Sequence, residues 1–315
     1  MQFEISKEFI DFISNAVEEQ NVDALREQLS DLPAVDVDTI LDELNTQEAK
    51  YILTLLDVEL SAEIIVHLDQ DIRPEFLKSF STKEIAGFIK LIDSDDAADI
   101  LNEQDFITKE EVIAHIDDDE KVSHILDLLR YDEDIAGGLM AKELIKANLD
   151  WNVTECIEEI RRQAEKVDKV YSVYVVDGQN TLKGRVSIKK LLLASDSTLV
   201  SDLYDEDLQK VDAFAKDEDI ARLMQRYDLV AVPVVNIQNK LIGRITIDDI
   251  IDVVTEQAEH DRQIMSGISK DVESDSKIWD GIKARLPWLL IGMGGGLLGA
   301  RLIGMFEEQL QIVPS

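Results

Sequence analysis

Asp249, Asp252, Glu256 and Glu259 step along the chain by three, four and three residues, which puts four carboxylates on one face of a helix. Asp95 and Asp99, four apart, make a second such pair far upstream. Like charges at these spacings cost an isolated helix roughly 0.2–0.5 kcal/mol per pair, and a counterion shared with another acidic surface reverses that cost. A hard divalent cation suits the arrangement. Such an ion prefers carboxylate oxygens and can keep part of its water shell, so spaced carboxylates on facing surfaces meet it better than a tight cage. A second account stands beside this one. Asp95 follows Ser94 at a predicted helix start, where a carboxylate favours the helix dipole without any metal. Asp117, Asp118 and Asp119 have the same explanation, and an acidic stripe is also what a solvated helix face presents.

Other chemistries find little support. The four histidines are scattered and form no zinc pattern, and no nucleophile–base set or phosphate loop is visible, so no enzyme is expected. Cys156 is the single cysteine, which rules out an intrachain disulfide and fits a reducing compartment. Sixty-six acidic residues against 32 basic ones give a formal net charge of −34, which would repel nucleic-acid phosphates. The first residues, Met1-Gln2-Phe3-Glu4, do not open a signal peptide.

The elements that must carry these residues change character along the chain. Up to about residue 135 a single glycine, Gly87, interrupts a run of apolar residues at helical spacing. These are Ile52, Leu53 and Leu56, then Ile85, Phe88, Ile89 and Ile92, then Val122, Ile125, Leu126 and Leu129. Asn45-x-x-Glu48, Ser81-x-x-Glu84 and Thr108-x-x-Glu111 read as capping boxes. The pattern predicts a stacked helical array that ends at a hinge, Ala136-Gly137-Gly138.

An internal repeat follows. Val173–Val176 and Leu182–Ile188 recur 59 positions later as Val232–Val235 and Leu241–Ile247, which predicts a duplicated β-rich unit packed as a pseudo-symmetric pair. A charged helix is expected from Ile250 to about residue 262, and a second through Trp279, Ile282 and Arg285. Leu286 to Phe306 holds one charge, Arg301, in 21 residues, long enough to span a bilayer. Six of the chain's 14 glycines lie between 292 and 304, where a water-soluble helix would lose about 1 kcal/mol for each. In a membrane, Gly292-x-x-x-Gly296 and Gly295-x-x-x-Gly299 allow close helix contact. Lys277, Lys283 and Arg285 before the span, with Glu307 and Glu308 after it, place the bulk of the chain in the cytoplasm.

Four motifs in one order resemble the MgtE family of magnesium transporters. Arg130-Tyr131-Asp132-Glu133-Asp134-Ile135-Ala136-Gly137-Gly138-Leu139-Met140 is similar to the signature that closes the family's helical N domain. The duplicated Gly-x-x-Ser/Thr units look like a pair of CBS motifs. Tyr227-Asp228-Leu229, Pro233-Val234-Val235 and Ile245-Thr246-Ile247-Asp248-Asp249 are similar to the second of them. Arg285-Leu286-Pro287-Trp288-Leu289 resembles the start of the family's first transmembrane helix.

The resemblance implies an α + α/β chain: a superhelical N-terminal array (1–138), tandem CBS domains (about 139–200 and 201–254), a linker or plug helix region (255–284) and one transmembrane helix (285–315). It implies magnesium between the N domain, the CBS pair and the linker. Asp95 and Asp99 match the N-domain pair, Asp249, Asp252 and Asp261 match the second motif and linker, and Asp217 and Glu218 lie in a comparable acidic turn. Gln257 and His260 stand where acidic residues would be expected. The family has four further membrane helices and none follows Ser315, so transport is expected of the intact relative rather than of these residues alone.

The expected function is magnesium sensing and gating for a transporter or channel of the cell membrane, in a homodimer. The rival is a regulatory module on a single-pass anchor that senses ATP or another adenine nucleotide. In that reading Gly243-x-x-Thr246-x-x-Asp249 holds ribose hydroxyls, while the first repeat has Lys190 in place of the aspartate.

Overall fold

The computed structural model describes residues 6–70, 72–164, 167, 169–251, 253–255, 286 and 289–303. They belong to two units, Met1–Ile247 and Asp248–Ser315.

The first unit opens with short helices: α1 (Lys7–Glu18), α2 (Val22–Leu29), α3 (Ala34–Asp42), α4 (Thr46–Leu55) and α5 (Val58–His67). They continue with α6 (Arg73–Leu77), α7 (Thr82–Ile89), α8 (Ser94–Asn102), α9 (Phe106–Ala114) and α10 (Asp119–Leu128). Asn45 with Glu48 and Ser81 with Glu84 form the two reciprocal capping boxes the sequence predicts. The third differs. Asp105 caps α9, and Thr108 sits inside the first turn with its hydroxyl on the Asp105 carboxylate at 2.8 Å. Aspartate wins because its oxygen reaches two amides at once, those of Ile107 and Thr108.

Stacking follows the apolar stripes. α3 packs on α5, α5 on α7 and α7 on α9, while α8 packs on α10. Ile52, Ile85, Ile89 and Ile125 are buried in one continuous core. On α10 the stripe is rotated from its expected position: Leu128 is buried and Leu126 exposed. Arg73, buried in the array, forks onto Glu103 and donates to the Val66 carbonyl, tying α6 to the ends of α5 and α8.

The duplicated region forms two matching sheets. β1 (Ile145–Asn148) runs parallel to β2 (Val173–Val176), which is antiparallel to β3 (Leu182–Val186), with α11 (Val153–Ala164) between the first two and α12 (Ile188–Leu193) after the third. β4 (Val211–Asp212), α13 (Asp217–Tyr227), β5 (Ala231–Val235) and β6 (Leu241–Thr246) repeat the order and the strand directions. Even the register irregularity recurs, after Val175 and after Val234.

The sheets meet at reciprocal turns. Asn180 and Asn239 both take left-handed backbone conformations, φ 63° and 58°, which asparagine tolerates well. Leu182 donates to the Asn239 carbonyl and Leu241 to that of Asn180, both at 3.0 Å. The two asparagine side chains donate back to Leu241 and Leu182. Tyr174, Val176, Leu182, Val235 and Leu241 fill the space beneath.

Each third strand also carries a crossing segment on its free edge. Ala141 exchanges backbone hydrogen bonds with Arg244, and Asp205 with Arg185. Gly243 and Gly184 permit the approach: an added Cβ would stand 2.9 Å from the Ala141 carbonyl and 2.0 Å from that of Asp205.

The expected hinge is paired rather than open. Ala136 and Gly137 donate to the carbonyls of Ala215 and Ala213 at 2.8 Å, beside β4. Its glycines serve close packing, since a Cβ on Gly137 would fall 2.3 Å from the Tyr131 ring.

In the second unit residues 248–251, 253–255, 286 and 289–303 are helical. Most of the expected linker, with Trp279 and Ile282, lies outside the described residues. No helix among the described residues is long and apolar enough to cross a membrane.

Candidate functional site

The sequence singles out Asp95 and Asp99, and both stand on α8, half-buried and one turn apart. The N-terminus of that helix is where acidic groups converge. One carboxylate oxygen each from Asp93, Asp95 and Glu143 lies within 4.8 Å of the others.

The α8 end is held from outside the array. Asp93 occupies the N-cap position but makes no side-chain cap bond. Glu143 takes that role: its Oε2 accepts from the Ser94 amide at 3.1 Å and from the Ser94 hydroxyl at 2.7 Å. A carboxylate there satisfies helix amides that have no partner within the helix and faces the positive end of the dipole. Ser94 is fully buried, and its Oγ also accepts from the Lys142 amide at 3.0 Å.

Cations surround the group. Lys121 Nζ lies 3.4 Å from Glu143 Oε1 and also donates to the Ile92 carbonyl. His124 Nδ1 is 3.9 Å from the same carboxylate. Burial would raise the Glu143 pKa, but His124, Lys121 and Ser94 together outweigh it and hold the carboxyl well below its usual range. Arg244, on β6, meets Asp93 at 3.3 Å, donates to the Lys169 carbonyl at 3.0 Å, and lies over the Tyr171 ring at 4.9 Å. Its side chain is only 5 % exposed, so the charge is desolvated and its partners matter.

The donor set is all carboxylate oxygen, the right chemistry for a hard divalent cation. Protein cations already meet two of its members, Glu143 and Asp93.

The remaining residues singled out from sequence are placed elsewhere. Asp217 and Glu218 open α13, where the Asp217 amide donates to the Asp134 carbonyl at 3.1 Å. Glu218 is exposed and lies 3.5 Å from Arg222. Thr246 ends β6 and is buried. Lys190, where the first repeat departs from the nucleotide pattern, donates to the Leu203 carbonyl. Asp249 is helical and belongs to the second unit. Asp252, Glu256, Glu259 and Asp261 lie outside the described residues.

Sequence reasoning missed Asp93, Ser94, Glu143 and Arg244 as members of the site. Glu143 is 49 residues from Ser94 and Arg244 is 151 from Asp93, so no periodicity links them. The usable signal was the helix start at Ser94, whose own N-cap aspartate left room for an outside carboxylate.

Comparison with known proteins bears on the family and the fold. The family description of the MgtE intracellular N domain matches residues 32–134, and that of the CBS domain matches 133–197 and 200–256. The magnesium transporter MgtE of Thermus thermophilus is 30 % identical over 311 residues, covering 96 % of this chain and 68 % of its own length. This chain belongs to the MgtE family. MgtE of Bacillus subtilis is 29 % identical over 91 % of this chain and 64 % of its own. The chain thus spans about two thirds of these curated relatives.

Two solved structures share the fold. The soluble part of a magnesium transporter matches with a TM-score of 0.71 at 26 % identity, over 79 % of this chain and 98 % of that one. The cytosolic domain of the Mg2+ channel MgtE in complex with ATP matches with a TM-score of 0.73 at 31 % identity, over 78 % and 99 %. The helical array is therefore an MgtE N domain and the two sheets a CBS pair.

Proposed function

We propose that this chain is the cytosolic magnesium-sensing and gating region of a membrane magnesium transporter, and that it works without enzymatic chemistry. The observation that carries the reading is the seam between α8 and the CBS pair, where Asp93, Asp95 and Glu143 converge in a chain of this family. Bound magnesium would supply positive charge between carboxylates that otherwise repel one another. Asp95 and Asp99 present oxygen donors from the N domain, and Asp217 and Glu218 from the first turn of α13. Asp249, Asp252, Glu256, Glu259 and Asp261 would extend the acidic set along the linker.

In the proposed cycle a docked N domain fixes the linker and keeps the pore of the intact transporter closed. Repulsion between the acidic faces parts them when magnesium falls. Moving such an equilibrium from 1:99 to 99:1 takes about 5.5 kcal/mol of differential binding, which several weak sites can supply together. The division at about residues 138 and 254, membrane insertion through 285–315, and a homodimer complete the proposal. The apolar residues Leu289, Ile291, Leu297, Leu298 and Ile303, each about two-thirds exposed, support insertion, because water is a poor neighbour for such a surface.

A second reading, adenine-nucleotide sensing by the CBS pair, is favoured by the ATP complex of the similar cytosolic domain and by Gly243-x-x-Thr246-x-x-Asp249. Calorimetric titration of the chain with magnesium and with ATP tests both. Saturable magnesium heat at millimolar concentration without nucleotide, and no heat from ATP titrated without magnesium, is the expected result for the sensor. Heat from ATP alone would move the function to the nucleotide.

A further inference from the structure

The contacts at the start of α8 join protein groups to one another. Ser94 is buried and gives both its amide and its hydroxyl to Glu143. Glu143 lies two residues after Ala141, the residue whose backbone pairs with β6, so the strand-like crossing carries the capping carboxylate into place. Lys121 from α10 neutralises it, at 11 % and 12 % side-chain exposure for the pair. Arg244 reaches from β6 to Asp93 on the other side of the same turn. Two buried or nearly buried cations thus already offset charge that a divalent ion would otherwise have to offset alone.

We propose that Glu143 is a metal-independent latch that sets how much of the protein is docked before any magnesium binds. The consequence follows from population arithmetic. A ligand that binds the docked form has its apparent affinity reduced by the fraction of molecules already docked, so the latch fixes the magnesium concentration at which docking completes. Glu143 acts here as a positioning residue for α8 and thereby for Asp95 and Asp99. The shift in magnesium midpoint rests on the sensing reading above, whereas docking without metal does not.

The test uses the 315-residue chain in neutral detergent, spin-labelled through Glu59→Cys on α5 and Lys189→Cys on α12, both exposed positions. Cys156 stays unlabelled because it is buried and burial pushes its thiol up to about 11. Pulsed dipolar distances are recorded in chelator and then through a magnesium titration. In chelator the parent should show a minor but measurable docked population. Glu143→Ala and Ser94→Ala should each lower its docked-to-undocked ratio by at least about fivefold, the lower edge of ordinary coupling between sites, and raise the magnesium midpoint by a similar factor. Glu143→Gln keeps an acceptor for Ser94 but loses the charge, so it should fall between parent and alanine. That graded recovery separates positioning from simple loss of packing, and the Gln and Ser94 variants carry the test if Glu143→Ala fails to fold. Ratios and midpoints unchanged across the three variants would overturn the latch. A parent distance indifferent to magnesium would instead defeat the sensing reading and leave the latch to be judged from the chelated samples.

Discussion

Asp38 is half-buried on α3, and burial first, then the charges of Asp42 and Asp69, push its carboxyl up to about 6. The folded state therefore holds a proton that the unfolded chain releases near pH 4. Stability from this residue is fully present below pH 4, falls as pH rises from about 4 to about 6, and stays lowered above that. Asp38→Asn removes the ionisation, so it should stabilise the N domain by about 1–2 kcal/mol at pH 7.5, a value discounted for partial exposure, and by nearly nothing at pH 3.5. Urea unfolding at the two pH values checks it, and an equal effect at both would assign the gain to packing. Glu143 carries the opposite sign, since its neighbours favour the charged form. Both residues are ordinary acids in the sequence. What separates them is which groups the fold brings beside each one, which no local pattern records.

Gly178 stands two residues before Asn180 and Gly184 four residues after it, yet they face opposite fates at the level of the element. A methyl group on Gly184 would meet the Asp205 carbonyl at 2.0 Å, a backbone atom that cannot move aside, while nothing lies within 4 Å of Gly178. Gly184→Ala should therefore cost about 1–3 kcal/mol through overpacking at the β3 edge, and Gly178→Ala should change stability by less than about 0.5 kcal/mol. Calorimetric melting of the two variants separates them, and equal melting temperatures would remove the crossing segment from the account of why glycine stands in Gly-x-x-Ser. The strands themselves were readable, because the 59-residue offset aligns β2 with β5 and β3 with β6. The reciprocal Asn180 and Asn239 bonds were not, since pairing across a pseudo-two-fold leaves no spacing signal in either half. At the helices, Asn45 and Ser81 declared their caps through a glutamate three residues on. Thr108 misled because Asp105, with two amides in reach, is the stronger cap.

At the scale of the whole molecule, family membership was legible because four motifs occur in one order, and the seam at α8 was not, because its members come from distant parts of the chain. The linker stripe rests on spacing and resemblance, so its test has to come from a titration. If Asp249 and Asp252 serve one shared cation cluster, Asp249→Asn and Asp252→Asn should each raise the magnesium concentration needed for compaction. The double variant should depart from additivity, because residues in one cluster couple by about 0.5–3 kcal/mol. Asp196→Asn is the matched control: Asp196 is exposed in the first CBS domain, with its backbone carbonyl accepting from Thr154, and its removal should leave the midpoint where it was. Small-angle scattering at fixed ionic strength reports the compaction, and fixing the ionic strength keeps general screening of a −34 chain from imitating a specific site. A double variant that compacts at the parent midpoint would take both residues out of the sensor and make their spacing that of a solvated helix face.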